Sequence, residues 1–281
     1  MLNTIRELMR PPPGMEFDFS QPPGEPALTP PDGISWQVFG NPVTLFIGGV
    51  AAVLLELAEP SVRSGVWDHS GFRQDPVLRL RRTGFAAMMT VYGPRQAAER
   101  LIAHVVRMHA RVEGTTPAGL AYRANDPRLL GWVHATAVFG FTQAYHRYVR
   151  SLSAPEKDSA FAESLAAAGL YGALGAPGSW AGWETTLAAA ASGLEGSDIL
   201  DDFLRIVTLA PILPAPLRRL QGVMVRAAVE ITPEPVRSLP QLRAHGLRFG
   251  EAALVRALAR TAGVLPLGDT PPVQAARRVA G

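Results

Sequence analysis

Between about residues 41 and 262 the chain runs in long apolar stretches rich in alanine, leucine and arginine, broken by glycine and proline. Alternating apolar–polar strand signals are weak there, whereas these residue types favour helix. That combination admits a helical body and little else. Helices are expected at roughly 43–58, 76–91, 94–113, 127–150, 155–169, 181–191, 198–208, 214–231 and 251–262. Several ends carry chemical punctuation. Asp75 is an N-cap before a proline at the first helical position, Gly93 closes that helix, and Pro94 opens the next. Asp126-Pro127 repeats the device, and Ser153-Ala154-Pro155-Glu156 reads as a capping box. The expectation is an all-α bundle of about nine helices in one body.

The flanks read differently. Residues 1–40 are dense in proline and glycine and are expected to form an extended arm, mobile or draped over the body. Residues 263–281 revert to proline and small residues and read as a tail. The first ten residues are short and mixed in charge, and three prolines follow them rather than an apolar core, which predicts no secretory leader. The most apolar run, 43–58, carries Glu56 and falls short of the roughly 20 residues that span a bilayer. A cytoplasmic protein without a transmembrane segment is expected.

Among the 281 residues there is no cysteine, which excludes disulfides, thiolate metal sites and cysteine nucleophiles. The sequence pI of about 9.7 invites a nucleic-acid reading, but the net charge is only +3. Lys157 is the only lysine, so the high pI reflects arginines that never lose their protons. There is no basic stripe interleaved with aromatics, and nucleic-acid binding is not expected.

Chemistry must then come from His, Arg, Asp, Glu, Tyr, Ser and Thr. His109 follows Ile102, Val105 and Val106 at spacings of seven, four and three, so it shares their apolar stripe and should point inward. His104 shares the solvated side with Arg100, Arg107 and Arg111. His134 aligns with Val138, Phe141 and Tyr145 on another apolar stripe, and His146 reads as exposed. An inward histidine is either a core histidine satisfied by a neighbour or a ligand. No His-Glu-x-x-His occurs, and neither inward histidine has a second ligand one turn away on its own apolar face, which argues against zinc. Arg79, Arg82 and Thr83 share one helical face. They form either a solvated arginine face or an anion clamp, for which a planar guanidinium is suited. Phe85, Met88 and Met89 on the same helix suit either plain core or a lipophilic cavity.

The chain resembles the bacterial and fungal family that contains latex-clearing protein (the rubber oxygenase) and the oxygenase that cuts the prenyl chain of mycophenolic acid. The pieces that carry the resemblance are Glu59-Pro60-Ser61-Val62, Gly65-Val66-Trp67-Asp68-His69-Ser70, Arg79-Leu80-Arg81-Arg82-Thr83, Met108-His109, Val112-Glu113-Gly114, Asp126-Pro127 and Trp132-Val133-His134-Ala135-Thr136. Tyr122, Tyr148 and Leu213-Pro214-Ala215-Pro216-Leu217-Arg218 also fit. Their order and spacing, more than any one piece, make the match.

The resemblance implies a globin-like multi-helix bundle that binds haem b and activates dioxygen to cleave carbon–carbon double bonds of isoprenoids. His109 would be the iron ligand, with His134 as the rival ligand or as support for the pocket. Arg79, Arg82 and Thr83 would line the haem, and Glu59 or Asp68 would supply the catalytic carboxylate. Rubber oxygenase has lysine at the position of Arg82. Arginine has no lone pair to offer iron, so the distal position should be open or water-filled. The implied partners are dioxygen and a hydrophobic small molecule, and association with further copies of the chain stays open. The competing reading is a carrier or sensor that keeps the pocket without haem. A serine hydrolase is disfavoured, because no Gly-x-Ser-x-Gly elbow occurs.

Overall fold

The computed structural model describes residues 11–213, 215–264 and 268–281. The stretch 1–10 read above for a leader, Pro214 at the start of an expected helix, and 265–267 of the expected tail lie outside the described residues. Twelve α-helices and a single two-stranded hairpin make up the described chain, which is all-α in class.

The punctuation acts as its chemistry requires. After the short α1 (Ile34–Phe39), Asn41 caps α2 (Pro42–Ala58) by accepting hydrogen bonds from the N–H groups of Val43 and Thr44. Glu59 breaks the helix with extended backbone and caps α3 (Pro60–His69), which turns 111° away from α2. Asp75 caps α4 (Pro76–Tyr92), and Gly93-Pro94 reverses the chain into α5 (Arg95–His109). Asp126 caps α6 (Pro127–Tyr148), and Ser153 with Glu156 forms a complete capping box on α7 (Ala154–Tyr171). Then follow α8 (Trp180–Ala190), α9 (Asp198–Leu209), α10 (Arg218–Ile231), α11 (Glu251–Val264) and α12 (Pro271–Ala280).

Two cores divide these elements. The larger gathers α2, α6, α8, α9, α10 and α11, and its aromatic centre is Trp132, Phe139 and Trp183. The closest approach is that of α2 and α6, where Gly48 faces Gly140. A Cβ on Gly48 would lie 2.7 Å from the Gly140 carbonyl oxygen. The smaller core joins Phe19 and Leu28 of the arm to Met88–Tyr92 of α4, Ala98 and Ile102 of α5, and Ala275 of α12.

Three corrections to the sequence reading emerge. The helix expected over 94–113 stops at His109, because Gly114, two threonines and Pro117 favour an extended turn. β1 (Glu113–Thr115) pairs antiparallel with β2 (Ala121–Arg123) through a loop that holds Gly119 at a φ of +84°. Residues 1–40 are not wholly extended, since α1 forms where the N–H groups of Ile34 and Ser35 donate to Glu163. The expected tail contains α12, whose Arg278 is 1% exposed. That guanidinium donates to the carbonyl oxygens of Phe19, Glu25 and Tyr92, at 2.5, 2.8 and 2.7 Å. It ties the draped arm to the end of α4.

Candidate functional site

The α4–α5 hairpin is packed unevenly. Its closed end, Met88–Tyr92 and Ala98–Ile102, is seated in the smaller core. From Pro76 to Ala87 no residue of α4 is buried, although Val77, Leu78, Leu80, Phe85, Ala86 and Ala87 are apolar. Nor is any residue of α5 buried after Ile102. The open end of the hairpin is therefore loosely held, and it brings together three polar groups that the sequence keeps far apart.

His109 closes α5, with its ring half-buried and its Nδ1 buried without a hydrogen-bond partner among the described residues. Burial, and then the positive charge of Arg79, lower its pKa, so the ring is neutral at ordinary pH. Arg79 is half-buried in the first turn of α4, and Thr83, one turn on, holds it in place. The Thr83 hydroxyl accepts a hydrogen bond from the guanidinium and donates to the Arg79 carbonyl. Burial and the neighbouring Arg82 both work against the charge of Arg79, and Glu56 supports it.

Glu56 is the site residue that the sequence reading did not single out. It is the lone charge in α2, and burial raises its carboxyl pKa to about 7 against the opposing pull of Arg79. A carboxyl so poised exchanges a proton at neutral pH. The signal was present in the chain as one acid in a long apolar run, but it served there only as an argument against a membrane span.

The remaining candidates lie elsewhere or at the rim. Arg82 and Thr83 are exposed on α4. Both Glu59 oxygens are engaged, one by the Val62 N–H at 2.7 Å and the other by Arg128 at 3.2 Å. Asp68 is exposed, and its neighbour His69 contacts the Tyr122 hydroxyl at 3.2 Å. His134 sits in the α6–α7 contact, where Nε2 is 2.9 Å from the Ser164 hydroxyl. That hydroxyl already donates to the Phe161 carbonyl, so it is the imidazole that donates to Ser164. Burial lowers the His134 pKa to about 4.

Towards the closed end of the same hairpin lies a cavity of about 280 Å³. Phe85 and Met89 of α4, Ala97, Arg100 and Leu101 of α5, and Met15, Glu16 and Phe17 of the arm line this open pocket. One helical hairpin thus offers an apolar slot and, further along, a cluster of acid, guanidinium and neutral imidazole.

Fold and site define an all-helical domain with an acid–base cluster beside an apolar cavity. The family model described as "ER-bound oxygenase mpaB/B'/Rubber oxygenase, catalytic domain" matches residues 36–264, and the chain belongs to that family. It is an oxygenase catalytic domain, which implies dioxygen and an organic substrate. Neither the curated proteins nor the solved structures gave a match. Among the described residues no single helix is long and apolar enough to cross a membrane.

Proposed function

We propose that this oxygenase domain binds haem b through His109 and oxidises a carbon–carbon double bond of a lipophilic, isoprenoid-type small molecule. The observation that carries the reading is the His109 ring, which is neutral, half-buried and left with an unpartnered Nδ1 at the loosely packed end of α4 and α5. A buried polar nitrogen without a partner is costly, and a neutral imidazole is a good iron ligand. The donor set fits the group. No three His, Asp or Glu residues cluster as a metal cage among the described residues, and one imidazole suits a metal that arrives with a porphyrin's four nitrogens. The apolar, half-buried face of α4 suits a flat hydrophobic ring, and Arg79 and Arg82 suit its propionates.

When bound, haem would supply the iron centre at which dioxygen is activated. The chain's own groups have separate tasks. Thr83 holds the Arg79 guanidinium in one orientation. Glu56 gives or takes a proton near neutral pH. Phe85, Met89, Leu101, Met15 and Phe17 offer an apolar surface to a lipophilic chain.

The test is an absorption spectrum of protein expressed with ample haem, before and after dithionite. A Soret band lost in His109→Ala and kept in His104→Ala is expected, since His104 is exposed on the opposite face. A colourless protein with no affinity for hemin would overturn the proposal. The apolar pocket between the arm and the hairpin also favours a second reading, a carrier without haem. A colourless protein that still binds a long-chain fatty acid stoichiometrically would establish it.

A further inference from the structure

Where α6 ends, its last turn faces α11 across a second pocket of about 230 Å³ that shares no residue with the oxygenase site. Arg147, Arg150, Arg256 and Arg260 line it with His146 and Ser151, and no acidic residue does. Arg150 is bound to Glu156 at 2.7 Å and to Gln37 at 2.8 Å. The side chains of Arg147, Arg256 and Arg260 make no hydrogen bond or ion pair among the described residues, although each guanidinium carries five donors. With Arg150 neutralised by Glu156, the three unpaired cations Arg147, Arg256 and Arg260 repel each other across the pocket, and an anion between them relieves that repulsion. The histidine adds to this. His146 Nδ1 accepts the Leu152 N–H at 2.8 Å, so the proton of the neutral ring sits on Nε2, a further donor. Burial and the cations Lys157 and Arg147 keep that ring neutral.

We infer that this pocket binds a phosphate-bearing anion, a diphosphate or phosphomonoester, between Arg147, Arg256 and Arg260. Planar guanidiniums match phosphate oxygens two at a time, and several cations favour a multiply charged ligand over a single carboxylate. The inference does not depend on the cofactor.

The experiment is calorimetric titration of the full chain with inorganic pyrophosphate at low ionic strength, where exposed charges are least screened. Saturable binding is expected, weakened about tenfold or more in Arg256→Ala/Arg260→Ala, the loss that one or two charge-assisted hydrogen bonds would cause. Arg205→Ala, an exposed arginine on α9 paired with Asp202, should bind like the parent. If the double variant misfolds by circular dichroism, the exposed Arg260→Ala alone serves, with the same direction expected. Co-sedimentation with phosphatidic acid vesicles, against phosphatidylcholine vesicles, separates the sources. Capture that pyrophosphate reverses assigns a lipid headgroup, and pyrophosphate binding without capture assigns a soluble phosphate. No saturable pyrophosphate binding, or binding that the arginine variants leave unchanged, overturns the inference whatever the vesicles do.

Discussion

Glu56 and His134 show how burial alone sets the chemistry of a side chain. Desolvation acts against the charged form of each, so it raises the acid to about 7 and lowers the imidazole to about 4. With Glu56→Gln, oxygenase turnover should fall by about a hundredfold, the lower range for losing a group that moves a proton. The limb of the pH–rate profile near 7 should vanish with it, while the Soret band stays, because Glu56 is no iron ligand in this proposal. His134 makes the opposite pH demand on folding. Its folded pKa lies below the unfolded value of 6.5, so its contribution is complete above 6.5 and is lost as pH falls towards 4. At pH 5 this costs about 2 kcal/mol relative to pH 7.5. In urea melts at the two pH values, His134→Asn should therefore lose less stability on acidification than the parent. Glu56 is raised, so its contribution runs the other way, complete below 4.5 and lost as pH rises through 7. The comparison must accordingly be made within one Glu56 background.

Among the elements, α2 and α6 depend on the absence of side chains at one crossing. With Gly48 and Gly140 the two backbones meet, and the Phe141 ring lies against Gly49 beside them. Gly140→Ala should force the helices apart and lower stability by about 1–3 kcal/mol, read as a shift of the urea midpoint. The α4–α5 hairpin follows the opposite rule. Its closed end is core, and its open end leaves an apolar face only half-buried, which is where the site lies. Much of this was legible in the chain. The Asp75-Pro76, Asp126-Pro127 and Ser153–Glu156 signals mark true helix starts, because a cap is a local hydrogen bond between near neighbours. The end of α5 was not, since the hairpin at 113–123 needs a partner strand and packing against α3. Likewise α1, α3 and α12 are short, and their stability comes from tertiary contact rather than periodicity.

In the molecule as a whole, the two ends of the chain secure one another. Arg278 near the C-terminus binds the carbonyl oxygens of Phe19 and Glu25 in the arm and of Tyr92 in α4, and the arm also lines the pocket near the site. Arg278→Ala should cost about 2–4 kcal/mol for the lost buried hydrogen bonds, and should expose residues 14–33 to limited proteolysis before the body unfolds. The proximity of Arg79 to His109 was partly readable, as a helix face and an apolar stripe on neighbouring helices. That Glu56 of α2 joins them was not, because nothing local relates a residue of α2 to the first turn of α4. By itself the sequence determined the helical class, the capped starts and the family, all of which rest on residue type and short-range spacing. Only the tertiary structure decided which acid stands beside Arg79, that Glu59 caps a helix, and that α12 meets the arm. Those facts depend on burial and on contacts between residues distant in sequence, and neither is encoded at any single position.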